Sequence, residues 1–218
     1  IYMDMLKELD EAAAALNPAG DTPGAADIIY QGDIAKWNKL AYSMMLRLGM
    51  RMTKVNLGQA QAWAEKAVAG GVFESNDDNA FILHDDSGGR TTRNRNSNIL
   101  AGEWNATGNG EVYLSKTFVD FLKNNNDPRL QYTAKVRSTG NTDPVDQIGL
   151  PNGLDQNGEG TDVSTDTNFP GDIANYSTIR ADVYLSITGP TFFATYAQSE
   201  LLLAEAKKRG FNVGATSA

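Results

Sequence analysis

The stretch YQGDIAKWNKLAYSMMLRLGMR, residues 30–51, decides the reading of this chain. Asp33 is placed to accept hydrogen bonds from the free amides of a first helical turn, and Gly32 lets the backbone turn into it. Ile34, Trp37, Ala41, Met44, Leu48 and Met52 then recur at three- and four-residue steps, the spacing of one side of a helix. Lys36, Lys39, Ser43, Arg47 and Lys54 collect on the opposite stripe, with Arg51 on its flank. Periodicity predicts a buried helix with one basic edge, and that edge is expected to pair with acids on neighbouring helices.

Four more helices follow on either side. The first covers 2–16, with Met5, Leu6, Leu9 and Ala13 as its stripe, and stops at the prolines and glycines of NPAGDTPG. Another spans 59–69, with Ala60, Trp63, Ala64, Ala67 and Val68 inward, and ends at Gly70-Gly71. A fourth covers 115–124, and a fifth runs from about 189–190 to Arg209 and closes at Gly210. The short turn between the second and third helices, and the alanines on both, predict an antiparallel hairpin. Two long stretches, 74–110 and 138–189, are rich in Asn, Asp, Gly, Ser and Thr and read as irregular insertions that carry function. Short strands are expected around 81–83 and 183–185.

The order of residues in the opening stretch resembles the SusD/RagB family of bacterial outer-membrane nutrient-binding lipoproteins. The resemblance lies in Tyr30, Gly32, Asp33, Lys36, Trp37, Lys39, Leu40, Ser43, Leu46, Arg47 and Arg51. It continues in NNNDPRL at 124–130 and in TYAQSELLLAEAKKRGF at 195–211, with Gln198 where that family commonly shows an acid or small polar residue. The resemblance implies a mainly α fold of tetratricopeptide-like helical hairpins, a SusD-like α-α superhelix with long irregular loops and a few short strands. It also implies one domain over 1–218, incomplete at both ends, and a protein attached to the outer membrane at the cell surface. Its partners would be an oligosaccharide or other nutrient and a TonB-dependent outer-membrane transporter.

Composition narrows the alternatives. The net charge is −8 with scattered Lys and Arg, which disfavours a phosphate backbone, so nucleic acid is excluded as a partner. No apolar run is long enough to span a bilayer. With no cysteine there is no disulfide, thiolate site or cysteine nucleophile, and a lipid-anchoring cysteine would lie outside these residues. His84 is the single histidine, which rules out a zinc site built on several imidazoles. No serine sits in a glycine-flanked elbow, so no catalytic residue is assigned. Paired carboxylates for glycoside hydrolysis are not singled out by any segment.

The candidate ligand contacts are Trp104, Glu103 and Asn105 in the loop AGEWNATGNG, with Tyr132 and Tyr176, and Phe169 beside them. Aromatic rings stack on the apolar faces of sugars, and neighbouring amides and carboxylates bond the hydroxyls. Trp37 and Trp63 lie on apolar helix faces and read as core. Glu200, on the side of its helix with Phe193, Tyr196 and Ala204, needs a partner there, and Arg47 or Arg51 is expected to supply it. Asp127 is placed to bond its own downstream amides, and the chain after Pro128 is expected to be extended. DQNGEGTDVSTD at 155–166 partly resembles a calcium loop through Asp155, Asn157, Glu159 and Asp166, but Glu159, Val163 and the lack of flanking helices depart from it. Asp77, Asp78, Asp85 and Asp86 form a second acidic group. No cofactor is expected, calcium being the one ion such a loop could take. The function expected is glycan or nutrient binding without catalysis; a helical-repeat protein adaptor and a glycoside hydrolase are the alternatives.

Overall fold

Side-chain caps start the helices of the central hairpin. Asp33 accepts from the Lys36 amide and Asn56 from the Gln59 amide, each at 3.1 Å, which relieves one unpaired N–H in each first turn. The computed structural model describes residues 1–103, 112–154 and 160–214. In chain order it has α1 (Tyr2–Ala15), α2 (Ile34–Arg51), α3 (Leu57–Gly70), β1 (Ala80–Ile82), α4 (Arg95–Ser97), α5 (Lys116–Asn124), α6 (Leu130–Thr133), β2 (Ala134–Val136), β3 (Ser177–Ile179), α7 (Ala181–Tyr184), β4 (Thr191–Ala194) and α8 (Tyr196–Lys208). These gather into two compact units, residues 1–82 with 190–218, and residues 83–189. Among the described residues no helix is long and apolar enough to cross a membrane.

In the first unit α2 is the hub, packed against α1, α3 and α8. It therefore buries more than one stripe: Ala41, Ser43, Met45, Leu46, Leu48, Gly49 and Met50 all leave solvent. Gly49 lies against Ala60, Trp63 and Ala64, while Tyr42 lies against Gly70, so residue numbers fall along α2 as they rise along α3. That is the antiparallel hairpin. A side chain at Gly70 would put its Cβ 2.2 Å from the Tyr42 ring, so glycine lets the ring lie flat on the end of α3. Met45, Leu46, Leu6 and the three buried alanines of α3, Ala60, Ala64 and Ala67, close into one core with Leu203, Ala206 and Phe211. Each large side chain in it contributes about 1.5–3 kcal/mol through burial. Met5, expected in the stripe of α1, is exposed.

The C-terminal helix starts later than the sequence suggests. Residues 191–194 form β4, which pairs antiparallel with β1 through Ile82↔Thr191, Phe81↔Phe192 and Ala80↔Ala194. Thr195 then caps α8, its hydroxyl accepting from the Gln198 amide. Gly210, at φ +85°, ends it: the Gly210 amide donates to Lys207 and the Phe211 amide to Ala206, with the Phe211 ring buried beneath. The inner face of α8 is Ser199, Leu203 and Ala206, displaced from the face expected; Phe193 and Ala204 are exposed and Glu200 is half-buried.

In the second unit α5 seats Val119 and Leu122 against Leu114, Leu130 and Ala134. Its C-terminus closes on Asn126, at φ +50°, with the Asp127 amide donating to Leu122 and the Asn126 amide to Lys123. The chain after Pro128 forms the helical turn α6 where an extended segment was expected. Proline restricts the residue before it and leaves those after it free, and the Asp127 carboxylate accepts the Arg129 amide at 2.9 Å. The strand expected at 183–185 is also absent; Asp182, paired with Arg180, opens the turn α7 there. Strand β2 pairs antiparallel with β3, Ala134 facing Ile179 and Val136 facing Ser177. Buried Gln147 ties these pieces together, donating to the Asn141 and Asp143 carbonyls and accepting from the Ser177 hydroxyl.

Candidate functional site

The basic stripe of α2 is turned to structural use. Lys39 Nζ reaches Glu74 at 2.7 Å and the buried Asp78 at 3.1 Å, and Lys36 Nζ donates to the Asp77 carbonyl at 2.8 Å. Ser43 is buried and accepts the Phe73 amide, and Arg47 donates to the Phe193 carbonyl at 3.3 Å. The acids that Lys39 meets thus come from the segment after α3. Burial works against the Asp78 charge, but the Glu74 amide, Lys39 and the Ser75 amide outweigh it and lower its pKa. Tyr30 completes the clasp, its hydroxyl donating to the Asp78 carbonyl at 2.7 Å. Burial, then the charges of Asp78, Asp27 and Asp33, push that phenol up.

Asp27, which periodicity does not single out, organises the start of α2. Its carboxylate accepts from the Ile29, Tyr30 and Gly32 amides and from the Trp37 indole at 2.6 Å. Burial opposes ionisation, but the Gly32 amide, the indole and the other amides together hold its pKa at about 2. Gly32 at φ +86° aims its amide there, and a Cβ on it would meet the Thr22 hydroxyl at 2.6 Å. Trp37 is locked on its other side by the Tyr30 ring, edge to face at 5.4 Å.

The second unit holds an open cleft of about 490 Å³ lined by Phe118, Phe121, Leu122, Arg129, Thr133, Ile179 and Tyr184. Phe118, Phe121 and Tyr184 are 40%, 62% and 50% exposed, high values for such large apolar groups. Arg129 is held by Asp127, its Nε 2.9 Å from Oδ1, and this pairing brings the Asp127 pKa down to about 2. Thr133 Oγ1 donates to the Arg129 carbonyl and stands 3.4 Å from the Tyr184 hydroxyl. The two phenylalanines escaped the sequence reading because they sit in an amphipathic helix with Val119 and Leu122, where apolar residues are expected to face inward.

Among the ligand contacts read from sequence, Trp104 and Asn105 lie outside the described residues, and Glu103 closes the π-helical segment Asn98–Glu103. Tyr132 is 54% exposed on α6, beside the cleft residue Thr133. Tyr176 is corrected. The residue is 0% exposed, its ring tilted at 42° against Phe169 with centroids 6.3 Å apart and its hydroxyl 3.5 Å from Asp166, so it has no face to offer a sugar. Asp155, Asn157 and Glu159 of the calcium-like loop lie outside the described residues. Among the described residues no three acidic or imidazole groups converge on a metal site. Asp78 is neutralised by Lys39 and Asp86 by Arg93, while Asp85 accepts from Ser87.

A helical-hairpin scaffold with short strands, a ligand-sized aromatic cleft and glycine-rich loops defines the class of protein. The profile of the SusD-like family described as "starch-binding associating with outer membrane" matches residues 1–218, and the chain belongs to that family. A solved structure of a chitin-binding protein is similar at 32% identity and a TM-score of 0.75, over 99% of this chain and 44% of that one. A chitin-binding SusD homologue from Flavobacterium johnsoniae is similar at 26% identity and a TM-score of 0.73, over 99% of this chain and 40% of the other. A SusD homologue from Bacteroides uniformis gives 27% and 0.73, over 97% and 40%. The chain thus spans less than half the length of these solved relatives. No curated protein matches it.

Proposed function

We propose that this chain is part of a cell-surface glycan-binding protein, without catalytic activity, that captures an oligosaccharide and hands it to a TonB-dependent outer-membrane transporter. The observation that carries this reading is membership of a family described as starch-binding and outer-membrane associated, together with two chitin-binding structural relatives. The exposed aromatic cleft and polar loops agree with it physically. A rigid helical frame costs little to order on binding, so stacking on aromatic rings and hydrogen bonds to hydroxyls remain as affinity and specificity. Trp104, Glu103, Asn105 and Tyr132 are the loop and surface residues proposed to contact ligand, and Glu200 is proposed to pair with Arg47 or Arg51 as a structural link. Oligomers of β-linked N-acetylglucosamine are the first ligands to try.

The test is a glycan array on the full-length protein, combined with chromatography of the incubated oligosaccharides and co-purification from outer membranes. Binding with intact oligosaccharides and a co-purifying TonB-dependent transporter is the expected result. Shortened products would replace this reading with hydrolysis. Binding of no glycan would replace it with a protein adaptor.

A further inference from the structure

We infer that the cleft between α5, α6 and α7 is a sugar-ring subsite for an uncharged, equatorially substituted hexopyranose, an assignment that rests on the glycan-binding reading above. Three features of the cleft point to that ligand class. First, its lining is aromatic and held from behind. Phe118 and Phe121 are one turn apart on α5, whose Val119 and Leu122 anchor the helix in the core, and Tyr184 of α7 lines the same cleft. Rings fixed on helices are presented without further ordering on binding. A hexopyranose with equatorial substituents carries C–H groups on both faces, and such a face is what aromatic rings can cover.

Second, the cleft has a polar margin suited to a hydroxyl rim. The Thr133 and Tyr184 hydroxyls sit together at 3.4 Å; Thr133 already donates to the Arg129 carbonyl, which leaves its oxygen free to accept. Third, its electrostatics favour a neutral ligand. Among the described residues no carboxylate lines it, and the charge of its one lining cation, Arg129, is balanced by Asp127, with Nε 2.9 and 3.1 Å from the two carboxylate oxygens. An amino sugar bearing a positive charge finds no lining carboxylate, and a uronic acid finds a guanidinium whose charge Asp127 already balances. The volume, about 490 Å³, lies within the range of small-ligand sites, roughly 300–1,000 Å³.

The experiment is calorimetric titration of the full-length protein with N-acetylchitohexaose and cellohexaose as neutral arms, chitosan oligomers as the cationic arm and oligogalacturonate as the anionic arm. Phe121→Ala and Tyr184→Ala are expected to weaken the bound neutral glycan about ten-fold or more while leaving the unfolding midpoint unchanged, as exposed positions allow. Phe121→Trp is expected to retain binding and to add a glycan-dependent change in indole emission to whatever change the wild-type tryptophans show. Unchanged affinity in both alanine variants, or a charged oligomer bound more tightly than the neutral ones, overturns the subsite while wild-type glycan binding still stands. An emission response of the Trp variant equal to the wild type's during wild-type-like binding means that the rings do not meet the glycan, and also overturns it. A wild type that binds none of the glycans overturns the functional reading and the subsite together.

Discussion

Asp27 sets how the start of α2 responds to acid. Its pKa falls from an ordinary 3.8 to about 2 in the folded protein, so the unfolded chain takes up the proton first. A depressed carboxylate contributes its full stability above pH 3.8 and loses it as pH falls through about 2. Asp127, also brought to about 2 by Arg129, acts in the same window. Urea unfolding followed by circular dichroism is therefore expected to weaken steeply between about pH 4 and pH 2. Asp27→Asn should flatten part of that slope and lower stability at neutral pH by about 1–3 kcal/mol, since an amide cannot accept all four donors. Lys39 offers a second test. Replacing it with Met strands the buried Asp78 charge and should cost about 2–4 kcal/mol by the same assay. Lys7→Met, which breaks the exposed pair with Glu11, should change stability by less than about 0.5 kcal/mol.

At the scale of elements, Gly149 is a close-contact position that no periodic pattern announces. A Cβ there would lie 2.5 Å from the Lys116 Cα and 2.6 Å from the Ser115 carbonyl, at the point where Ser115 and Leu150 form a parallel bridge. The obstruction is backbone and cannot swing aside. Gly149→Ala should cost about 1–3 kcal/mol and loosen the start of α5, read as faster amide exchange at Lys116, whose N–H donates to Leu150. The helices α2 and α3 were legible because their apolar spacing and caps are local. The hairpin was legible because small residues mark its contact. Less was legible where distant residues decide: β4 depends on pairing with β1, far away in sequence. The aromatic cleft was illegible for the same reason, since Phe121 and Tyr184 meet only after α5, α6 and α7 have folded together. Tyr176 erred in the other direction, because a polar sequence neighbourhood gives no sign of burial.

For the molecule as a whole, the pairing of β1 with β4 determines what each part of the chain depends on. Ile82 and Thr191 face each other, so the backbone leaves the first unit and returns to it at adjacent positions. Replacing 83–190 with Asn-Gly, the pair favoured in tight hairpins, should leave a helical protein that unfolds cooperatively, as followed by thermal circular dichroism. Loss of cooperativity would mean that the first unit borrows stability from the second. The clasp of Lys36, Lys39 and Tyr30 on residues 77 and 78 stands on the near side of that junction and is untouched by such a cut. The junction therefore behaves as a socket. Whatever is plugged between Ile82 and Thr191 can be lengthened or exchanged as a cartridge while the two paired strands that frame it stay as they are.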